Sequence, residues 1–109
     1  MNDYDVVFER SQRGDRCVLS VSGEIDLAVA ARFAQELEDL VNDSGGTGVV
    51  DLSAVGFIDS SGIRELLKAK RAAQAAGTDL LLLSPSDFCR RVLEISGVWS
   101  DFTVLEALS

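Results

Sequence analysis

Apolar residues along this chain switch repeatedly between strand-like alternation and helical spacing. Val6, Val7 and Phe8 open a strand expected over 6–10. Gln12-Arg13-Gly14-Asp15 is a turn signal. A second strand follows over 17–23, with Cys17, Leu19 and Val21 on one face and Val18 on the other. The two strands read as a hairpin with a loop of several residues. Gly23-Glu24-Ile25-Asp26 closes the second strand and opens a helix, with Asp26 as its N-cap, because a short carboxylate accepts from first-turn amides. Ala30, Phe33, Ala34, Leu37, Leu40 and Val41 recur at helical spacing and form one buried face. The glycine-rich run over 44–48 ends that helix.

A third strand is expected over 48–53, with Asp51 at its end in a local bond. It leads to a loop carrying Asp59, Ser60 and Ser61. The second helix then buries Ile63, Leu66, Leu67, Ala69, Ala73 and Ala76, solvates Arg64, Lys68, Lys70 and Arg71, and exits at Gly77. The unbroken apolar run over 80–83 is a fourth strand buried on both faces, as in a sheet with helices on each side. Ser84 as cap, Pro85 at N1 and Asp87 at N3 start a third helix, whose apolar side is Cys89, Val92, Leu93 and Ile95 and which ends at Gly97. Trp99 and Phe102 pack back, a short edge strand follows over 102–104, and 105–109 forms a terminal turn or truncated helix. The order β-β-α-β-α-β-α plus a short C-terminal tail predicts an α/β fold, with a mixed four- to five-stranded sheet, covering helices and right-handed crossovers.

Composition narrows the function classes. At 109 residues, 1–109 is expected to be a single domain. The net charge of −8 argues against nucleic acid and anionic membrane surfaces. Apolar runs such as Leu80 to Leu83 are far short of the roughly 20 residues of a membrane span, so no direct membrane insertion is expected. Met1 to Asp5 lacks the basic start of a signal peptide, and the two cysteines fit a reduced cytoplasmic interior as core fillers. Two cysteines and no histidine leave no metal site, and no cofactor is expected.

The candidate chemistry lies in two strand exits, Glu24-Ile25-Asp26 and the loop from Phe57 to Gly62. Neighbouring strands would put Asp26, Asp59, Ser60 and Ser61 on one surface. The plain alternative at Asp26, Asp59 and Ser60 is a helix N-cap with no further role. Catalysis is disfavoured. There is no Gly-x-Ser-x-Gly pattern and no histidine base, Lys68 and Lys70 lie two turns away, and Gly45-Gly46-Thr47-Gly48 lacks a P-loop lysine. A serine that receives a phosphate from another protein remains. Helix amides could hold that group, and its charge would expel a partner fitted to the neutral hydroxyl.

Four blocks carry a family resemblance: Gly23-Glu24-Ile25-Asp26, Val49-Val50-Asp51-Leu52-Ser53 running into Phe57-Ile58-Asp59-Ser60-Ser61-Gly62, Ser84-Pro85, and Ile95-Ser96-Gly97. Across essentially its whole length the chain resembles the STAS domains, and among them the anti-sigma factor antagonists of the SpoIIAA type. The resemblance implies a non-enzymatic regulator in a partner-switching pathway. It would bind an anti-sigma factor with serine kinase activity. Phosphorylation at Ser60 would inactivate it, and a PPM-type phosphatase would restore it. Asp26, Asp59, Ser60, Ser61 and Gly62 would form the partner-binding surface. Arg64 followed by Glu65 is more charged than the same place in many relatives. The alternative is a non-catalytic STAS subunit of a stressosome or of a lipid or anion transporter.

Overall fold

A computed structural model describes residues 6–108. Its elements in chain order are β1 (Val7–Arg13), β2 (Arg16–Ile25), α1 (Ala30–Asp43), β3 (Gly48–Ile58), α2 (Ser60–Ala75), β4 (Leu80–Leu83), α3 (Asp87–Ile95), a 3-10 turn (Trp99–Asp101) and β5 (Thr103–Leu105). The sheet order is β1-β2-β3-β4-β5, with β1 antiparallel to β2 and every later pair parallel. The α/β order and the mixed sheet agree with the sequence. The edge strand from the tail is β5, one residue later than expected. Of the terminal turn expected over 105–109, Ser109 lies outside the described residues.

The hairpin is tighter than expected. Arg13 pairs with Arg16, so only Gly14 and Asp15 turn the chain, with Gly14 at φ 64°. The third strand is longer than expected and runs through Asp51 to Ile58. Asp51 does bond locally, accepting from the Ser53 amide at 2.9 Å, but it does not end the strand.

The two-sided helical cover is not what forms. Buried residues of all three helices join Leu19, Val21, Val50, Leu52, Leu80 and Leu82 in one core. On the other face Val18, Val49, Leu81 and Leu83 form a second cluster with Leu105 and Leu108. The reason is topological. Three right-handed crossovers that each step to the next strand in the same direction must all return over the same face. Helices reach both faces only when the strand order reverses, and here it does not. Burial of β4 on both faces holds, but tail and strand side chains, not a helix, complete the second face.

Lys70 is not solvated. It sits 6% exposed in the stripe Ile63, Leu66, Lys70, Ala73. Its Nζ donates to Asp79 Oδ1 at 2.6 Å and to the Leu80 carbonyl at 3.3 Å. Asp79 Oδ1 also accepts from the Leu80 amide at 2.8 Å, and the Asp79 carbonyl accepts from Gly48 at 3.1 Å. The pair therefore pins the start of β4 beside the start of β3. Ile95 is also misplaced by the sequence reading. It lies two residues beyond the buried Leu93, about 200° around the helix, and is 79% exposed. Cys17 and Cys89 are free and buried, as expected of core fillers.

Partial burial pushes the Asp79 carboxyl up, but the Lys70 hydrogen bond, the Leu80 amide and the Lys70 charge outweigh it and hold the group below its ordinary value. A depressed carboxylate contributes stability above its unfolded pKa and loses it as pH falls through the folded value. Asp79→Asn should lower stability at neutral pH by about 1–2 kcal/mol, measured by urea unfolding. A fully buried pair costs more to break, and the Asp79 side chain is 37% exposed. The gap between wild type and variant should stay level from about pH 7 to pH 5 and close below about pH 4.

Candidate functional site

The site is built where β2 and β3 end together. Ile25 pairs with Ile58, and the Asp59 amide donates to the Ile25 carbonyl at 3.2 Å. The two exits therefore open at one level, as the parallel pairing anticipated. Level ends require correction along the way, because β3 uses ten steps from Gly48 to Ile58 and β2 uses eight from Cys17 to Ile25. Two register shifts, between Ser20 and Ser22 and between Gly23 and Glu24, absorb the two extra β3 residues. Each bulge turns side chains over once, so two restore the phase. Leu52, Val55 and Ile58 all reach the main core.

Asp59 is the N-cap of α2. Its backbone is extended, and Oδ1 accepts from the Ser61 amide at 2.9 Å and the Gly62 amide at 3.3 Å. Ser60 is the first helical residue and is exposed, Ser61 is half-buried and Gly62 is buried. Among the described residues the Ser60 hydroxyl makes no hydrogen bond. Ser60 is therefore not a cap but the residue presented by one.

Asp26 does not cap α1. Its Oδ1 accepts from the Ala28 amide at 3.0 Å and its carbonyl accepts from Val29 at 3.1 Å, which closes a turn before the helix starts at Ala30. The turn pushes Leu27 outward to 76% exposure beside the acidic residue. Nothing in the periodicity marks Leu27 as exposed, since it reads as one more apolar residue of a helix.

Three further features were not legible as site elements. The cap of α3 is Ser86, two residues later than Ser84. Ser86 Oγ accepts from the Cys89 amide at 3.2 Å and donates to the Val55 carbonyl at 2.5 Å, and the Ser86 amide donates to the Leu52 carbonyl at 3.2 Å. Ser84 instead takes φ 45°, and its hydroxyl donates to the Glu106 carbonyl. Phe57 and Phe88 meet with ring centroids 5.4 Å apart and tie the end of β3 to the start of α3. A groove of about 340 Å³ between α1 and α2 is lined by Leu37, Val41, Glu65, Lys68 and others, and includes none of Asp26, Asp59, Ser60 or Ser61.

The residues over 8–105 match the family described as Mlab, STAS domain. The chain belongs to the STAS domain family. RsfB of Mycobacterium tuberculosis, an anti-sigma-F factor antagonist, is 31% identical over 91 residues, which cover 84% of this chain and 74% of that one. An anti-sigma factor antagonist from Mycobacterium paratuberculosis is similar in structure, with TM-score 0.79, 28% identity, and 94% of this chain and 87% of that one covered. The anti-sigma factor antagonist SpoIIAA shares the fold in its unphosphorylated form, at TM-score 0.70 and 20% identity over 94% of this chain and 90% of that one. It does so in its phosphorylated form at TM-score 0.67 and 22% identity, with 90% of each chain covered. No helix among the described residues is long and apolar enough to cross a membrane.

Gly62 has a steric reason to lack a side chain. A Cβ on Gly62 would lie 2.8 Å from Ile25 Cγ2 and 2.8 Å from Ile58 Cγ1, both on fully buried side chains. Alanine would gain about 1 kcal/mol of helix propensity, but overpacking of about 1–3 kcal/mol opposes it. Gly62→Ala should therefore lower Tm by a few degrees in calorimetry, with Gly46→Ala, where nothing lies within 4 Å, as the neutral control. A raised Tm for Gly62→Ala would show that α2 is free to lift off the two isoleucines.

Proposed function

We propose that this STAS protein is an anti-sigma factor antagonist, acting in the cytoplasm as a single domain and without catalysis of its own. It binds an anti-sigma factor with serine kinase activity, so releasing a sigma factor. Phosphorylation of Ser60 switches it off, and a PPM-type phosphatase reverses the step. The observation that carries this reading is the exposed, unbonded Ser60 hydroxyl at the first position of α2, level with the Asp26 turn. The names of the relatives support the general role.

The mechanism follows from the bonds already made in the loop. Asp59 takes the Ser61 and Gly62 amides, and Gly62 is packed on Ile25 and Ile58. The hydroxyl can accept a group from outside without any of these contacts breaking. The product is a dianion of roughly −1.5 to −2 charges on an acidic surface. A partner seated on the neutral hydroxyl, the Asp26 turn and the exposed Leu27 would then face steric clash, desolvation and repulsion. About 1.4 kcal/mol of such cost changes an affinity tenfold.

The cognate kinase with ATP should add one phosphate, seen by mass spectrometry, which Ser60→Ala abolishes and Ser61→Ala retains. Phosphate found on Ser61 would overturn the assignment. Ser60→Glu should weaken kinase binding at least about tenfold by calorimetry with an unchanged circular dichroism spectrum. Binding indifferent to the charge at position 60 would instead favour a STAS subunit of a stressosome or transporter.

A further inference from the structure

Phosphate on Ser60 would meet an unusual set of neighbours. The helix start that would ordinarily receive an anion is partly occupied, because Asp59 Oδ1 already holds the Ser61 and Gly62 amides. Fewer amides are therefore free for the group than an uncapped helix start would offer. The carboxylates nearest in sequence and register, Asp59 and Asp26, repel a dianion. A cation elsewhere on the chain would offset that repulsion.

Arg64 is placed to do so. Ser60 and Arg64 are four residues apart in α2, so they lie one above the other on one face. Both are exposed. Helical side chains lean toward the N-terminus, which carries a long side chain at position 64 back over position 60. Among the described residues Arg64 has no ion-pair or hydrogen-bond partner, whereas the next charges on the helix are matched, Lys68 to Glu65 at 3.5 Å and Lys70 to Asp79 at 2.6 Å. Arg64 stands in the second turn of α2, one turn beyond the Asp59 cap. A phosphate at position 60 would give this unpaired guanidinium a partner one turn away.

We propose that Arg64 is the internal counter-ion of phosphorylated Ser60, closing over the phosphate as an i,i+4 pair on the surface of α2. The inference rests on the reading that Ser60 is the modified residue. A guanidinium offers a phosphate two parallel hydrogen bonds, which a lysine cannot reproduce. The modification then does two things at once. It adds negative charge at position 60, and it withdraws a free cation from the surface that a partner would contact. Arg64 is a positioning residue in this scheme and takes no part in phosphoryl transfer.

The test installs phosphoserine at position 60 during translation and follows the second phosphate ionisation by phosphorus NMR titration. A neighbouring cation favours the dianion and lowers that pKa, while Asp26 and Asp59 raise it. In the Arg64→Gln phosphoprotein the value should rise by about half a unit relative to the Arg64-bearing protein, and Arg64→Lys should fall between them. Arg71→Gln, which removes a charge of the same sign eleven residues from Ser60, should leave it unchanged. Equal values for the Arg64-bearing and Arg64→Gln phosphoproteins, or an equal response to Arg71→Gln, would overturn the pairing. Because no kinase is used, the outcome is separable from the functional reading. Failure of the kinase to modify Ser60 would sink that reading while leaving the measured contact intact.

Discussion

The contact on which the site depends is the seating of the first turn of α2 on Ile25 and Ile58. The backbone at Gly62 approaches so closely that a single added carbon would lie 2.8 Å from both side chains. That approach is possible only if the two isoleucines are level and both turned to the main core. Their level is set by the parallel ladder, and their orientation by the paired bulges that return β3 to its starting phase. One bulge alone would turn Ile58 away from the helices and remove the floor on which α2 rests. The geometry of one exposed serine is thus the end product of register choices made along the preceding strand.

The same strand has a second requirement. β4 pairs with β3 only from Gly48 to Asp51, so the half of β3 that carries the site loses its neighbour on that side. Buried carbonyls left there would be costly. The start of α3 takes over, with the Ser86 amide on Leu52 and the Ser86 hydroxyl on Val55, while Phe88 packs on Phe57. One serine thus serves as a helix cap and as a substitute for a strand. This links α3, distant in sequence, to the stiffness of the loop that bears Ser60.

Most of the architecture was legible because burial leaves a periodic trace. Cys17, Leu19 and Val21 against Val18, the α1 stripe through Phe33, Leu37 and Leu40, and the Gly77 exit all follow from spacing and backbone freedom. The meeting of the two loops followed from parallel neighbours, whereas local rules offered Asp26, Asp59 and Ser60 alike as caps and the structure uses Asp59. What was not legible depends on long-range partners. Ser84-Pro85-Ser86 offers two serines that satisfy capping rules, and only the carbonyls of Leu52 and Val55 select the second. Lys70 carries a charge that argues for solvent, yet its place four residues after Leu66 and three before Ala73 put it in the buried stripe, and that spacing was the available signal. Bulges have no sequence signature in a run such as Leu52 to Phe57, and the one-sided cover depends on strand order, which no local pattern encodes.

A switch at such a loop, as proposed above, would act by charge, because movement of the loop would break the bonds that seat it. Asp59 is tied to two amides, its own amide is tied to Ile25, and Gly62 fills the space above two buried side chains. Shifting α2 would break all of these together. A charged group added at the exposed first position breaks none of them. The rigidity that the glycine and the bulges enforce therefore keeps a change in charge from becoming a change in fold. A partner that reads this surface would need complementarity to one geometry and would be displaced by what is added to it. In the switch proposed above, the acidic residues flanking Ser60 would make that addition costly to any partner that accepted the neutral serine, and a cation one turn along the helix would let the protein itself tolerate the new charge.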